Sequence, residues 1–404
     1  MLETLIKTFT EFIEWQEYDL LPITIGAALA NFGSGDPVYL FLVGPPASGK
    51  TELIRSFVDC KGFYALSKLT PHTFVSGYIQ HGKTVHKDKS LLIRLQNEGR
   101  RNVMIKDFTS ILSERIENRN EIFGQLREIA DGYYSQAFGT GEEVSWKGKL
   151  GFIAGVTGAI DESFSMRQTL GERFLQVRIR EFDYGKAAEK AARWTGGEDA
   201  WRENMRKIMS QFIGSMDVKK LAEITLAEEV NEKLFNAAHL LSLARTGVKR
   251  DRFFKTLLTF PEPEGPARLM RQLIHLGKGI ALCFNKLTVD NAVYALLRRV
   301  ARDTIPLIRE RCLYRIWRDE LQTGMSEQTT VALSESLGQQ KGTIRLWLED
   351  LKDVGLLAKS YKDDSTLWSL SPKGFMLIQA SEIFWEPEEK EEIIEECYDY
   401  EEVF

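Results

Sequence analysis

The chain has 404 residues, 43% hydrophobic and 27% charged, a globular composition that excludes wholesale disorder and points to two or three domains. A formal net charge of -5 excludes a uniformly basic nucleic-acid coat, so any contact with DNA falls to a local patch. Cys60, Cys283, Cys312 and Cys397 lie far apart with no CxxC pair, which excludes a zinc ribbon and argues for a reducing compartment without disulfides.

The opening MLETLIKTFTEFIEW carries early acids and no unbroken apolar core, unlike a secretory signal. No run of ~18 apolar residues is present, so no membrane partner is expected and the expected location is the cytoplasm. Residues 1–36 read as a helical lead-in. Leu2, Leu5, Ile6, Phe9, Phe12 and Ile13 recur at helical spacing, and a second apolar stretch ends in the breaker cluster Gly33-Ser34-Gly35-Asp36-Pro37. Val38 to Val43 is a continuous apolar run, as a buried parallel strand requires. Further strand patterns over 63–65, 103–105, 150–156 and 174–178 alternate with helix patterns over 51–58, 89–97 and 120–130. Residues 37–180 are therefore expected to form an α/β domain, a parallel sheet covered by helices.

Strand patterns vanish over 181–310, where amphipathic stretches such as 222–243 and 267–284 predict a helical subdomain. Residues 311–381 hold three helical segments and a two-strand pattern. An acidic tail follows over 382–404. Its stretch 386–404 has ten acids against one lysine, a charge of about -9, which leaves about +4 on the rest. Such a tail either docks a partner, such as a replication or loader protein, or stays a solvated acidic run.

The sharpest motif is Gly44-Pro45-Pro46-Ala47-Ser48-Gly49-Lys50-Thr51, which fits G-x-x-x-x-G-K-[ST] with an apolar strand before it and a helix pattern after it. Glycines let successive N–H groups turn toward a phosphate, and the following helix adds partial positive charge. Lys50 suits the β/γ-phosphates of ATP and the Thr51 hydroxyl suits Mg²⁺. Asp107 closes the apolar run Asn102–Ile105, where it can hold the metal or polarise the attacking water. Thr157 ends a further apolar strand and can hydrogen-bond a γ-phosphate or the lytic water. Arg173 begins another strand, where a planar cation can reach a neighbouring subunit's phosphate.

GPPASGKT, MIKDF, FIAGVT and LGERF, in that order, resemble the AAA+ ATPases over about 36–281. The branch most similar is that of the MCM helicases and their relatives in bacteriophages and mobile elements. The resemblance implies a P-loop parallel-sheet core with a helical lid, and a ring-shaped, hexameric homo-oligomer. It sets Thr157 at the sensor-1 position and Arg173 at the arginine finger. Arg268, with Arg271 as a second choice, falls at the sensor-2 segment of the lid. Against the family's I-D-E-F, Ile105-Lys106-Asp107-Phe108 offers one carboxylate where two are usual. Asp107 then replaces either the catalytic glutamate or the metal-holding aspartate, with Glu128 and Asp131 as substitutes for the other. The hairpin pattern on either side of Gly139-Thr140-Gly141 resembles the pore hairpin of MCM-like enzymes, with Lys147 and Lys149 set to touch DNA phosphates.

In the last module, the helix-turn-helix rhythm of 329–354 and the hairpin over 357–370 resemble a winged helix. Gln340, Lys341, Thr343 and Arg345, with the neighbouring Gln339, are its expected DNA contacts, joined by Lys359 and Lys362 on the wing. Together these features predict an ATP- and Mg²⁺-dependent DNA helicase or translocase. The alternative is a nucleotide-gated DNA-binding switch, a loader or regulator that hydrolyses slowly.

Overall fold

The computed structural model describes residues 1–15, 17–74, 90–137, 143–162, 173–251, 253, 255–324 and 327–385. They divide into two compact units. One holds 1–162, 173–225 and 275–288, and the other holds 226–274 and 289–385. Residues 181–310, one helical subdomain in the sequence reading, are thus shared between the two. The acidic stretch 386–404 and the turn Gly139-Thr140-Gly141 lie outside the described residues.

The first unit is built on β1 (Tyr39–Val43), β2 (Phe63–Leu66), β3 (Asn102–Ile105), β4 (Tyr133–Ala137), β5 (Glu143–Lys147), β6 (Gly151–Val156) and β7 (Phe174–Arg178). Five of these form one parallel sheet in the order β2-β3-β6-β1-β7. Every residue of β1, β3, β6 and β7 is buried, which explains why these strands read as unbroken apolar runs instead of alternating ones. One face carries an aromatic cluster in which Phe41 stacks on Phe174 at 3.8 Å, with Tyr39, Phe108 and Phe152 around them. The helix Leu20–Ala30 is buried all round, which is why its sequence has no polar stripe.

Register brings the carboxyl ends of four strands to one edge. Val43 lies beside Val156 and Arg178, and Ile105 lies beside Ala154. The residues that follow continue this alignment, with Gly44 N–H donating to Val156 O at 3.1 Å and Phe108 N–H to Gly155 O at 2.7 Å. Gly155 is required here, because a Cβ would stand 2.7 Å from the Lys106 carbonyl. The edge therefore presents residues 44–51, Asp107 and Thr157 side by side, in the crevice where open parallel sheets take ligands. β4 and β5 form an antiparallel hairpin that buries Tyr134, Val144 and Trp146 and leaves Tyr133 and Lys147 outside.

A short ladder pairs β8 (Thr225–Leu226) with β9 (Thr288–Val289). The second unit is helical, with Glu228–Ala244, Asn291–Thr304, Leu307–Thr323 and Pro372–Ser381 around a small sheet. Asp290 and Ser371 cap their helices, accepting from Val293 N–H at 3.0 Å and Gly374 N–H at 2.9 Å. The sheet has the order β10 (Gln328–Thr329), β12 (Ser365–Leu370), β11 (Leu357–Lys362), all antiparallel, with helices Thr330–Leu337 and Lys341–Asp353 beside it. Asp363 and Asp364 both take positive φ, 47° and 61°, the geometry of the tight turn that matches strand twist. Trp368 is fully buried and donates its indole N–H to Thr330 Oγ1 at 2.8 Å.

Helix Lys341–Asp353 is anchored at its carboxyl end. Arg250 bonds Asp350 and Asp353, both at 2.7 Å. Arg309, 1% exposed, bonds Asp350 at 3.2 Å and donates to the Ala244 and Thr246 carbonyls at 2.9 and 2.6 Å. Burial pulls the Arg309 guanidinium down to about 10, with Asp350 acting in the opposite sense.

Candidate functional site

The turn from β1 into helix Lys50–Ser56 takes left-handed backbone at Ala47 (φ 61°) and Gly49 (φ 82°). At Gly49 a side chain is excluded twice over, by φ and by Ile13 Cγ2, which already occupies the place of a Cβ. The first helical bond runs from Leu53 N–H to Gly49 O, so the amides of Lys50, Thr51 and Glu52 come before any intrahelical partner. Lys50 is buried, and its ammonium donates to Gly44 O at 2.7 Å, Pro45 O at 2.5 Å and Ser48 Oγ at 3.1 Å. Burial lowers its pKa from 10.5 to about 8, and the Asp107 carboxylate works against that fall. Lys50 and Asp107 are thus within electrostatic reach across the strand ends.

Asp107 is exposed, and its carboxylate accepts from Thr109 N–H at 2.9 Å. Thr109 Oγ1 in turn accepts from Thr157 N–H at 3.1 Å and donates to Thr157 Oγ1 at 3.4 Å. Asp107 and Thr157 are thereby linked through one residue. Thr51 is half-buried on the same loop. Among the described residues, no group of three or more His, Cys, Asp or Glu side chains is placed to hold a metal.

Beside the loop is a cleft of about 380 Å³, floored by residues 47–52 and walled by Phe12, Trp194 and Trp201. Phe12 packs on both tryptophans, at 4.6 and 5.3 Å. Arg202 bonds both Glu52 carboxylate oxygens through one guanidinium edge, Nε at 3.0 Å and Nη2 at 3.2 Å, tying helix Glu198–Ser215 to the residue after Thr51.

Arg173 stands at the opposite end of the sheet, one residue before β7, and bonds both Asp131 oxygens at 3.0 Å. It is separated from the loop edge by the whole of β7, roughly 16 Å of strand. Arg268 is in the second unit and pairs with Glu264, which also holds Arg245. Arg271 is exposed on the helix Ala267–Cys283, which also carries Arg268. Lys147 is exposed on the hairpin.

Lys149 differs from the sequence expectation. Its ammonium donates to the carbonyls of Ala30, Gly33 and Ser34 at 3.1, 3.0 and 3.3 Å, capping helix Leu20–Ala30, and burial lowers it to about 8. Its three donors are committed, so none is left for a phosphate. Lys359 is similarly engaged, 2.5 Å from Glu349 and over the Trp368 ring. Gln339, Gln340, Lys341, Arg345 and Lys362 are exposed and Thr343 is half-buried.

Three features of the site had no sequence signal. Trp15 donates its indole N–H to Ser48 O at 3.0 Å from 33 residues away. Arg178, at the end of β7, bonds both Asp161 oxygens at 2.7 and 2.8 Å. Arg202 on Glu52 is the third. Only the apolar spacing of Phe9, Phe12 and Ile13 marks the first segment as one that packs on something.

No protein-family profile matches the chain. No curated protein matches its sequence either. Among solved structures, one described as a candidate ATPase from Cytophaga hutchinsonii is 11% identical, with a TM-score of 0.40 over 75% of this chain and 85% of that one. The apo structure of the NrS-1 C-terminal region is 12% identical, with a TM-score of 0.31 over 92% of this chain and 75% of that one. Both stand too low in identity and TM-score to bear on the chemistry, which rests on the chain's own residues.

Proposed function

We propose that this chain is a Mg²⁺-dependent ATPase of AAA+ type that works on DNA as a ring-shaped homo-oligomer. The observation that carries this reading is the loop Gly44–Thr51, bent by left-handed Ala47 and Gly49 at the carboxyl end of β1, with Asp107 following strand β3 at the same edge of the sheet. The residues fit a triphosphate. Amides ahead of the first helical bond and an ammonium inside the turn are the donors a phosphate needs. Mg²⁺, held by the Thr51 hydroxyl and Asp107, would supply charge neutralisation between the phosphate oxygens.

In this reading Lys50 releases its loop carbonyls to bind phosphate oxygens. Asp107 orients the metal or accepts a proton from the attacking water, and Thr157, tied to Asp107 through Thr109, senses the terminal phosphate. Arg173 serves the site of an adjoining protomer in a hexameric ring, and Arg268 couples nucleotide state to the helical elements. The module over 311–381 acts as a winged helix. Gln340, Lys341, Thr343 and Arg345 would meet DNA there, with Lys362 on the turn and Lys147 on the separate hairpin.

A second reading is favoured by Lys106-Asp107, a single carboxylate where hydrolysis commonly uses two. It is a nucleotide-gated DNA-binding switch with slow turnover. Phosphate release with and without single-stranded DNA separates the two. Stimulation by DNA that is lost in Lys50→Ala and Arg173→Ala supports the motor. Tight ATP binding with negligible turnover supports the switch, and absence of ATP binding sinks both.

A further inference from the structure

We infer that Trp15 is a positioning residue for the phosphate loop, setting the direction in which the Gly49 amide points. The inference rests on the loop Gly44–Thr51 being a phosphate site. The physical problem lies in the peptide between Ser48 and Gly49. Gly49 has no Cβ and sits at φ 82°, where a glycine passes between conformations more readily than other residues. The plane of that peptide is therefore weakly held by its own backbone. The peptide is trans, so its C=O and N–H point in opposite directions. Whatever fixes the Ser48 carbonyl fixes the Gly49 N–H as well.

Trp15 fixes that carbonyl. Its indole N–H reaches Ser48 O at 3.0 Å in a buried contact, and Trp15 is 3% exposed. The indole N–H is a single donor, so the bond is directional. The indole is held in turn. Its ring stacks on Phe9 at 6.0 Å with planes 16° apart. The preceding residues are tied down by Lys190, which bonds the Glu14 carboxylate at 2.8 Å and the carbonyls of Thr10 and Ile13 at 2.5 and 3.2 Å. Ile13 closes the same side of Gly49. The Ser48 carbonyl is thereby held toward the Trp15 indole. In a trans peptide the Gly49 N–H is then turned away from Trp15. Without the indole donor the peptide is free to rotate, and a phosphate has to select the rotated fraction that suits it.

The test compares binding of ATP and of inorganic tripolyphosphate by calorimetry, using the full chain. Trp15→Phe keeps an aromatic ring and removes the donor. Benzothienylalanine at position 15 keeps the indole shape and also removes the donor, should the phenylalanine variant fold poorly. Phe9→Leu loosens the same packing without touching Ser48. The expected result is a loss of roughly tenfold in affinity for both ligands in the two donor-less variants. Phe9→Leu keeps the donor and loosens only its support, so it should lower the melting temperature and weaken both affinities by less than the donor-less variants do. Donor-less variants that bind both ligands as tightly as the wild type overturn the inference and leave the phosphate site standing. Weakening toward ATP alone also overturns it, because the loop holds only phosphates. A wild type that binds neither ligand overturns the phosphate site itself, and the inference with it.

Discussion

The guanidinium of Arg173 bonds both carboxylate oxygens of Asp131 at 3.0 Å, joining the start of β7 to the residue that ends helix Ile116–Ala130. If Arg173 serves a neighbouring protomer, Asp131 is the group that holds it until assembly. Arg173→Ala is expected to retain ATP binding and to lower turnover about 10³-fold. Asp131→Asn should keep turnover at or above the wild-type level. Steady-state phosphate release at a concentration that supports assembly measures both, and undiminished turnover in Arg173→Ala removes the role.

Lys50 supplies a pH dependence. Its value in the folded chain is about 8, and a bound triphosphate favours the charged ammonium. Affinity is therefore expected to be full below about pH 8 and to fall as pH rises through it. Titration calorimetry in two buffers of different ionisation enthalpy should detect proton uptake centred near that pH, and Lys50→Met should abolish it. Stability moves the other way. Between about pH 8 and 10.5 the unfolded chain binds more protons at Lys50 and Lys149 than the folded one, so folding becomes more favourable as pH rises across that window.

Lys149 holds three carbonyls at the end of helix Leu20–Ala30. Lys149→Met is expected to cost about 1–3 kcal/mol of stability, because carbonyls lose their donor in a half-buried place. DNA affinity should not change. Urea unfolding and a binding titration on the same protein check the two halves of this statement.

For Asp107→Asn, ATP binding is expected to persist while turnover drops about 100-fold, the scale of a lost acid–base or metal-orienting group. Rapid-quench measurement of a single turnover isolates the step. A variant as fast as the wild type would transfer the role to Glu128 or another carboxylate.

If helix Lys341–Asp353 meets DNA as proposed, binding carries a salt signature. Arg345→Ala should weaken binding and reduce the slope of log affinity against log salt by about one. Lys359→Ala should leave the slope unchanged, since its ammonium is held by Glu349. Fluorescence anisotropy over a range of salt concentrations measures both.

Much of the architecture was legible because it is written locally. β1, β3, β6 and β7 are buried on both faces, and such strands announce themselves as short apolar runs. The loop after β1 follows from glycines at fixed spacing, and the β11–β12 turn from two adjacent aspartates. What stayed hidden depends on distant partners. Nothing around Trp15 indicates that its N–H ends on Ser48, and nothing around Arg178 points to Asp161. The pattern Lys147-Gly148-Lys149 reads the same whether an ammonium meets a DNA phosphate or the carbonyls of a helix end. Likewise, the amphipathic helices of 181–310 show that each has a face to bury, but not which neighbour covers it. Helix Glu198–Ser215 belongs to the sheet unit, while Glu228–Ala244 belongs to the other.

Asp350 receives two arginines, Arg250 and Arg309, and Arg309 in turn grips the backbone at the end of helix Glu228–Ala244. Helix Lys341–Asp353 is thereby clamped at one end and open to solvent at the other. A force on its exposed first turn would be passed through Asp350 and Arg309 into helix Leu307–Thr323.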